Sequence, residues 1–296
     1  MSGVFQWRGG KYHLAPKIVP YLPKAKIYYE GFCGGASLFW EKPPHPVEVL
    51  NDLDGEVVNF YRVLQDPVKR KALNDKAQFS LYFRDEFRKA LAIEKDPEAT
   101  DVEQAWAFFV RQNQGFAGSA GTEGRWGRAF LGSEEHGPTP VAGWNRKKSS
   151  LEEWGSRLER VQIDHVDALV GIKYWDSEDT VMYLDPPYVP ETRNKAYTNN
   201  YTHDCDLEFH LKLVDLLLQV KGKVVLSGYD SDVYKALEDH GWIKVTLKTV
   251  SMGIARTRQS KYRGDGELKR SASRIECLWI KGGRERVLFG GFSAVP

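Results

Sequence analysis

The chain has 296 residues, and its 42 lysines and arginines nearly balance 40 aspartates and glutamates, which leaves a formal net charge of +2. Hydrophobic residues make up 42% and charged residues 28%, a composition that is typical of globular proteins and disfavours disorder. The sequence has no apolar run long enough for a membrane span and no signal-peptide core, and three widely spaced cysteines exclude a disulfide framework. We expect a cytoplasmic protein of one large or two modest domains, with no metal site and no membrane partner.

The first 65 residues alternate short strands with helices, which favours a parallel α/β sheet. The elements predicted there are a strand at 26–30, a glycine-rich turn at 31–35, the start of a helix at 36–40, a strand at 47–50 and a helix at 55–65. Two helical stretches follow near 68–91 and 100–111, and residues 115–149 show no clear period. We expect the middle part, residues 66–157, to be a smaller, mainly helical domain that contains a long functional loop region.

After about residue 158 the alternation of strands and helices resumes. Its predicted elements are a buried strand at 180–184, an amphipathic helix at 206–220, a buried strand at 224–226, a helix at 232–239 capped by Ser231, and strands at 243–252 and 274–280. A basic loop joins the last two strands, and residues 284–296 form an extension with little pattern. The fold class is therefore predicted to be α/β, with one domain assembled from residues 1–65 and 158–283.

The motif Asp185-Pro186-Pro187-Tyr188 directly follows the buried strand at 180–184. Ligands of open α/β sheets bind at the carboxyl ends of strands, so the motif stands where a site is expected. An amine attached to an aromatic ring is a weak nucleophile. If the Asp185 carboxylate and the Pro186 carbonyl accept its N–H groups, its lone pair is directed at a methyl donor. Tyr188 offers a ring for stacking a base, worth about 1–3 kcal/mol. A simple turn, the alternative interpretation, requires no tyrosine.

Two further segments suit cofactor binding. A glycine-rich loop at residues 30–37 lies between a strand and a helix, where backbone can approach a ligand closely. Asn51-Asp52 follows the next strand, and an acid in that position can accept hydrogen bonds from ribose hydroxyls, although for the pair taken alone a turn or a helix cap is the better explanation. The segment WRGGK, residues 7–11, is on its own only a glycine turn with basic residues.

Taken in order, these motifs resemble the Dam-like adenine-specific DNA methyltransferases, in which the cofactor motifs precede DPPY. The resembling segments are WRGGKYHLAPKIVPYLP, YYEGFCGGASLFW, ND, RQNQGF, VMYLDPPYVPETR, VVLSGYDSDVY and IECLWI. The resemblance implies a Rossmann-like methyltransferase sheet with a target-recognition domain inserted at residues 66–157. It also implies methyl transfer from S-adenosylmethionine to the N6 amine of an adenine that is flipped out of double-stranded DNA.

The resemblance assigns roles to individual residues. The implied catalytic residues are Asp185, Pro186, Pro187 and Tyr188. The implied cofactor-binding residues are Trp7, Lys11, Glu30, Phe32, Gly34, Asp52, Asp167 and Asp185. Candidates for contact with DNA are Arg111, Asn113, Arg125, Arg128, Lys147, Arg258 and Lys261. Basic residues in such positions give salt-dependent affinity when they contact phosphates, but helix capping and solvated surface are the competing explanations.

Three alternatives stay open at this stage. The same chemistry could act on cytosine, on RNA or on a protein amide. The chain could also be a DNA-binding relative that has lost catalysis. A nicotinamide-dependent oxidoreductase is disfavoured because the sequence contains DPPY and lacks the GxGxxG motif. The recognised DNA sequence, a cognate restriction endonuclease and the oligomeric state cannot be inferred from one chain.

Overall fold

The central sheet of this computed structural model contains seven strands. They are β1 (Ile27–Glu30), β2 (Val47–Asn51), β3 (Val161–Asp164), β4 (Thr180–Leu184), β5 (Lys223–Tyr229), β6 (Ile243–Lys248) and β7 (Ile275–Lys281). The strand order is β3-β2-β1-β4-β5-β7-β6. Strands β1 to β5 are parallel, and β7 lies antiparallel between β5 and β6. The predicted α/β fold class is therefore confirmed. From β1, the chain adds strands first on one side (β2, β3) and then on the other (β4, β5), so the strand order reverses between β1 and β4. Sheets of this kind bind ligands at such a reversal.

The structure describes residues 3–7, 9–115, 126–127, 139–190, 205–248 and 275–283. Several parts of the chain named above lie outside these residues: the DNA-contact candidates Arg125, Arg128, Arg258 and Lys261, the whole basic loop before β7, and the C-terminal extension at 284–296.

The apolar strand β4 shows why the sheet needs helices on both faces. All five of its residues are buried. Its side chains alternate between two cores, with Val181 and Tyr183 on one face and Met182 and Leu184 on the other. A strand covered on both sides is uniformly apolar, which is the pattern that the sequence shows at this position.

The described helices form most of the connections between the strands. They are α1 (Ala15–Ile18), α2 (Ser37–Glu41), α3 (Gly55–Gln65), α4 (Pro67–Phe79), α5 (Arg84–Ile93), α6 (Asp101–Gln114), α7 (Pro140–Ser149), α8 (Leu151–Leu158), α9 (Ala168–Trp175), α10 (Leu207–Gln219) and α11 (Lys235–Asp239), with 3₁₀ turns at Val19–Tyr21 and Asp232–Tyr234. Within the described part of the chain, none of these helices has the length and apolar character that crossing a membrane requires.

Helices of the middle part, residues 66–157, pack directly on the sheet domain. Helices α6 and α8 contact α3, and buried side chains such as Trp106, Phe109 and Trp144 belong to the same core as Tyr28 and Tyr183 of the sheet. The described part of this segment thus shares a hydrophobic core with the sheet. A separate target-recognition domain at these boundaries stays a prediction.

Two elements differ from the sequence-based expectation. The helical stretch predicted near 68–91 is divided into α4 and α5 at Ser80, whose carbonyl accepts hydrogen bonds from Trp144 Nε1 (3.0 Å) and Lys148 Nζ (3.0 Å). Because these side chains satisfy the carbonyl, the helix can end there at little cost. In the region expected to have no clear periodicity lies α7, which begins with Thr139 as its cap and a proline at its first position, two strong helix-start signals.

Candidate active site

The DPPY motif lies at the carboxyl end of β4, next to the N-terminal segment. Lys11 Nζ donates to both carboxylate oxygens of Asp185, at 2.7 Å and 2.8 Å. The same Nζ donates to Tyr188 Oη and lies 4.7 Å from the centre of the Tyr188 ring. Lys11 is 5% exposed and Asp185 16% exposed, so the ion pair is largely shielded from water. One cation therefore contacts the side chains of both Asp185 and Tyr188.

The charge of Asp185 depends on its neighbours. Burial raises the pKa of Asp185 to about 6, the positive charge of Lys11 opposes that rise, and the negative charge of Glu276 adds to it. Because this pKa still lies below neutral pH, Asp185 is mostly ionised there and acts as a hydrogen-bond acceptor.

Glu276 is a site residue that the sequence analysis did not identify. Its Oε1 atom accepts hydrogen bonds from Tyr188 Oη and from Ser227 Oγ, both at 2.7 Å, and lies 3.8 Å from Lys11 Nζ. Its side chain is 5% exposed. One signal was available in the sequence: Glu276 is the single acidic residue in the strand IECLWI, and buried acids are uncommon unless they are paired.

The N-terminal segment and the glycine-rich loop are in contact. Gly34 has a φ of +43°, and a Cβ atom added there would lie 2.3 Å from Trp7 Nε1. The Gly34 amide donates to Asp52 Oδ2 at 2.7 Å, and its carbonyl accepts from Tyr61 Oη at 2.8 Å. Trp7, Gly34 and Asp52, which the sequence places far apart, thus form one continuous group.

The pair Asn51-Asp52 has two different functions. The side chain of Asn51 donates to the carbonyls of Gly31 (3.0 Å) and Val166 (3.1 Å) and accepts from the Val166 amide (3.0 Å), so it ties three loops together. Asp52 accepts from the Asp54 amide at 2.9 Å, as a turn residue does, and also from the glycine loop. Burial raises the pKa of Asp52. The turn interpretation accounts for one of its oxygens, and the other faces the glycine loop.

Three cofactor candidates stand apart from this group. Glu30 is buried and accepts from Tyr28 Oη at 2.6 Å, and burial raises its pKa to about 8. Phe32 packs edge-on against Phe209 of α10, with ring centres 6.1 Å apart. Asp167 caps α9 by accepting from the Leu169 amide at 2.8 Å. These contacts give each residue a structural role, and cofactor contact remains a prediction.

The described DNA-contact candidates are engaged within the protein. Arg111 is 3% exposed and pairs with Glu56 and with Glu94, the latter at 2.8 Å. Asn113 is buried and donates to the Phe109 carbonyl at 2.9 Å. Lys147 donates to the Gly3 carbonyl at 2.7 Å, and burial lowers its pKa to about 7. These contacts favour structural roles for all three residues.

Four acidic residues lie at the carboxyl edge of the sheet. Glu30 ends β1, Asp52 follows β2, Asp164 ends β3 and Asp185 follows β4. Carboxylates accept hydrogen bonds from hydroxyl groups and attract positive charge, so these acceptors fit a ligand that has both. Glu30, with its pKa raised to about 8, adds little negative charge at neutral pH. Within the described ranges, no cluster of three or more His, Cys, Asp or Glu residues is arranged to hold a metal ion.

Three features together define an α/β methyltransferase. The sheet is parallel except for the antiparallel strand β7 and its partner β6, and the motif Asp-Pro-Pro-Tyr lies where the strand order reverses between β1 and β4. The third feature is the hydrogen bond between the glycine loop and Asp52, the acid after β2. The model of the D12 class N6 adenine-specific DNA methyltransferases matches residues 7–251, which is most of the chain. The chain therefore belongs to this family, and the resemblance noted from the sequence is confirmed.

Individual relatives are more distant. The DNA N-6-adenine-methyltransferase of Escherichia phage P1 is 28% identical over 217 residues, which are 72% of this chain and 28% of that protein. The Type II methyltransferase M1.LlaDCHI of Lactococcus lactis subsp. cremoris is 26% identical over 254 residues, 79% of this chain and 85% of that protein. The DNA adenine methylase of Escherichia coli (strain K12) is 23% identical over 240 residues, 76% and 80% of the two chains. The chain thus spans 28% of the length of the phage protein but most of the other two.

Proposed function

We propose that the chain transfers a methyl group from S-adenosylmethionine to the N6 amine of adenine in double-stranded DNA. The observation that carries this proposal is the Asp185 carboxylate, held by Lys11 at the carboxyl end of β4 and followed by two prolines and a tyrosine. The family and the names of its relatives support adenine as the target and DNA as the substrate.

The residues beside the motif suit the cofactor. Asp52 would accept hydrogen bonds from the ribose hydroxyls, while Trp7 and Gly34 would line the same side of the pocket. When bound, S-adenosylmethionine supplies an electrophilic methyl carbon attached to a positively charged sulfur. The acidic groups at this edge favour a positive charge nearby, and the single charge of Lys11 offsets only part of theirs.

Asp185 and Pro186 would activate the target amine. Asp185 has to release one oxygen from Lys11 so that it can accept an amine N–H, and the Pro186 carbonyl accepts the other. The amine nitrogen then uses its lone pair to bond the methyl carbon as the carbon–sulfur bond breaks, with that bond's electron pair passing to sulfur. The nitrogen afterwards loses one proton to water, which restores the neutral amine. Because the prolines fix the backbone, both acceptors are preorganised.

The target base has to leave the duplex before it can reach this motif, which costs a few kcal/mol. The Tyr188 ring is held at one side by Tyr229, with ring centres 4.2 Å apart and planes at 67°. A fixed aromatic face of this kind can offset part of the unstacking cost, since stacking on an aromatic side chain is worth about 1–3 kcal/mol.

The test compares wild-type protein with Asp185→Asn. The variant keeps the size of the side chain but loses its charge, so methyl transfer should fall by at least about a hundredfold. Tritiated S-adenosylmethionine and duplex DNA are incubated with each protein, and digested nucleosides are identified by mass spectrometry. Asp179→Asn is the matched control, because Asp179 forms an exposed pair with Lys26 far from the motif.

Each alternative has its own outcome in the same assay. Label in methylcytosine, or label only with RNA or protein substrate, would move the proposal to that substrate. Cofactor and DNA binding without a methylated product would indicate a relative that has lost catalysis. Full activity in Asp185→Asn would refute the assigned mechanism.

A further inference from the structure

The buried acid on β7 belongs to the site geometrically, although it comes from the far end of the chain. Glu276 pairs in register with Tyr229, the last residue of β5. The Oε1 atom of its carboxylate accepts hydrogen bonds from the hydroxyl groups of Tyr188 and Ser227, both at 2.7 Å.

We infer that Glu276 is a positioning residue for the methyl transfer, acting through Tyr188 and Lys11. The inference rests on the proposed function and adds a residue to its machinery. Glu276 acts on Lys11, which is bonded to Asp185, and on Tyr188, which is bonded to Lys11.

The first action is to orient the Tyr188 ring. Lys11 donates to Tyr188 Oη, and Tyr188 Oη in turn donates its own hydrogen to Glu276, so the hydrogen bonds run in one direction. Tyr229 contacts the ring itself. With the hydroxyl end and one side both held, the ring cannot rotate freely, which would keep its orientation constant when a base binds.

The second action concerns the Lys11 ammonium group. Its Nζ atom lies 2.7 Å from Asp185 and 3.8 Å from Glu276, so two carboxylates share one cation. When Asp185 turns one oxygen toward the target amine, Lys11 can strengthen its contact with Glu276 instead of losing a partner. The desolvated charge of Lys11 is thereby compensated both before and after the substrate enters.

Other charged and titratable groups also act on Asp185, and a pH experiment has to allow for them. Besides Lys11 and Glu276 they are Glu30, Tyr183, Tyr188 and Tyr234. The tyrosines have pKa values raised by burial and stay neutral across the range of interest. Removing the Glu276 charge alone therefore lowers the pKa of Asp185, and removing Lys11 alone raises it.

The experiment uses Glu276→Gln and Glu276→Leu in the full chain. Glutamine still accepts from Tyr188 and Ser227 but lacks the charge, so the acidic limb of the kcat/KM profile should shift to lower pH by up to about one unit. Leucine also removes the acceptor, so kcat should fall by about tenfold to a hundredfold, further than with glutamine. Tyr188→Phe should lose a comparable factor, and its combination with Glu276→Leu should lose little more, because both changes break the same contact.

Glu48→Gln is the matched control for burial. Glu48 is a buried acid on β2 that pairs with Lys42 and Arg157, so its replacement perturbs the fold without touching the site. Melting temperatures of all variants are compared with this control. If both Glu276 variants keep the wild-type kcat and pH profile, as Glu48→Gln should, the positioning role is refuted while the proposed function stands.

A second measurement does not depend on turnover. The carboxyl carbon of Asp185 is followed by NMR through a pH titration, with Asp185→Asn identifying the signal. A lower Asp185 pKa in Glu276→Gln supports the coupling even if the wild type were to methylate another substrate. An unchanged pKa overturns the electrostatic part of the inference directly.

Discussion

Replacing Gly34 with alanine tests the contact between the N-terminal segment and the glycine loop. The new Cβ would lie 2.3 Å from Trp7 Nε1 and 2.6 Å from Trp7 Cδ1. Favourable separations between such atoms are about 3.5–4.0 Å, so the indole ring has to move by more than about 1 Å. Either Trp7 leaves its position, or the loop shifts and weakens the bond from Gly34 to Asp52. Both responses disturb the group that we assign to the cofactor.

The backbone adds a separate contribution. Gly34 has a φ of +43°, and a left-handed conformation costs a residue with a side chain about 1–2 kcal/mol. Gly241 separates this strain from the collision, because it has a φ of +85° and nothing within 4 Å of an added Cβ. Gly241→Ala should lose about 1–2 kcal/mol of stability and keep its cofactor affinity.

Calorimetric titration with S-adenosylhomocysteine provides the measurement. Gly34→Ala should bind at least about tenfold more weakly than wild type, a loss of about 1.4 kcal/mol. In a Trp7→Ala background the same change should have a smaller effect, since the colliding ring is gone. If Gly34→Ala binds the ligand as tightly as Gly241→Ala, the assignment of Trp7 and Gly34 to the cofactor pocket is wrong.

Two further substitutions test charge in and near the site. Lys11→Met removes the cation that lowers the pKa of Asp185, so the acidic limb of the kcat/KM profile, expected near the Asp185 pKa of about 6, should move to higher pH. A limb that stays in place would show that another group controls it. Arg111→Met should lower the free energy of unfolding by about 2 kcal/mol, because it breaks the ion pairs of the buried arginine with Glu56 and Glu94, which are themselves partly exposed. Because those contacts are internal, the slope of the logarithm of DNA affinity against the logarithm of salt concentration should stay unchanged. A lost phosphate contact would instead reduce the size of that slope by about 1.

The parts predicted best from the sequence are those controlled by local patterns. Strand β4 was predicted at its observed bounds, because Thr180, four apolar residues and then Asp-Pro-Pro leave few alternatives. Ser231 was predicted as a cap, and its Oγ accepts from the Val233 amide at 3.4 Å. Patterns of this kind involve neighbours in the chain, and no knowledge of distant contacts is needed to interpret them.

Contacts between distant segments required the family resemblance or were missed. Lys11 and Asp185 are 174 positions apart, and no periodicity links them. The order of motifs in the family placed both in one site. Arg111 shows the opposite limit, since an arginine at the end of a helix has the same local pattern whether it contacts DNA or two glutamates. Its role depends on the packing of α3 and α5, which local sequence does not contain.

The position of Glu276 follows from the direction of its strand. In the parallel part of the sheet, site residues follow the carboxyl ends of strands, as Asp52 follows β2 and Asp185 follows β4. Strand β7 runs the opposite way beside β5, so its first residues lie at that same edge, and Glu276 pairs with Tyr229. Glu276 stands at the beginning of its strand, so the local pattern of an acid that follows a strand, which Asp52 and Asp185 show, is absent there. An antiparallel strand inserted into a parallel sheet therefore extends the ligand-binding edge to residues near its own amino end.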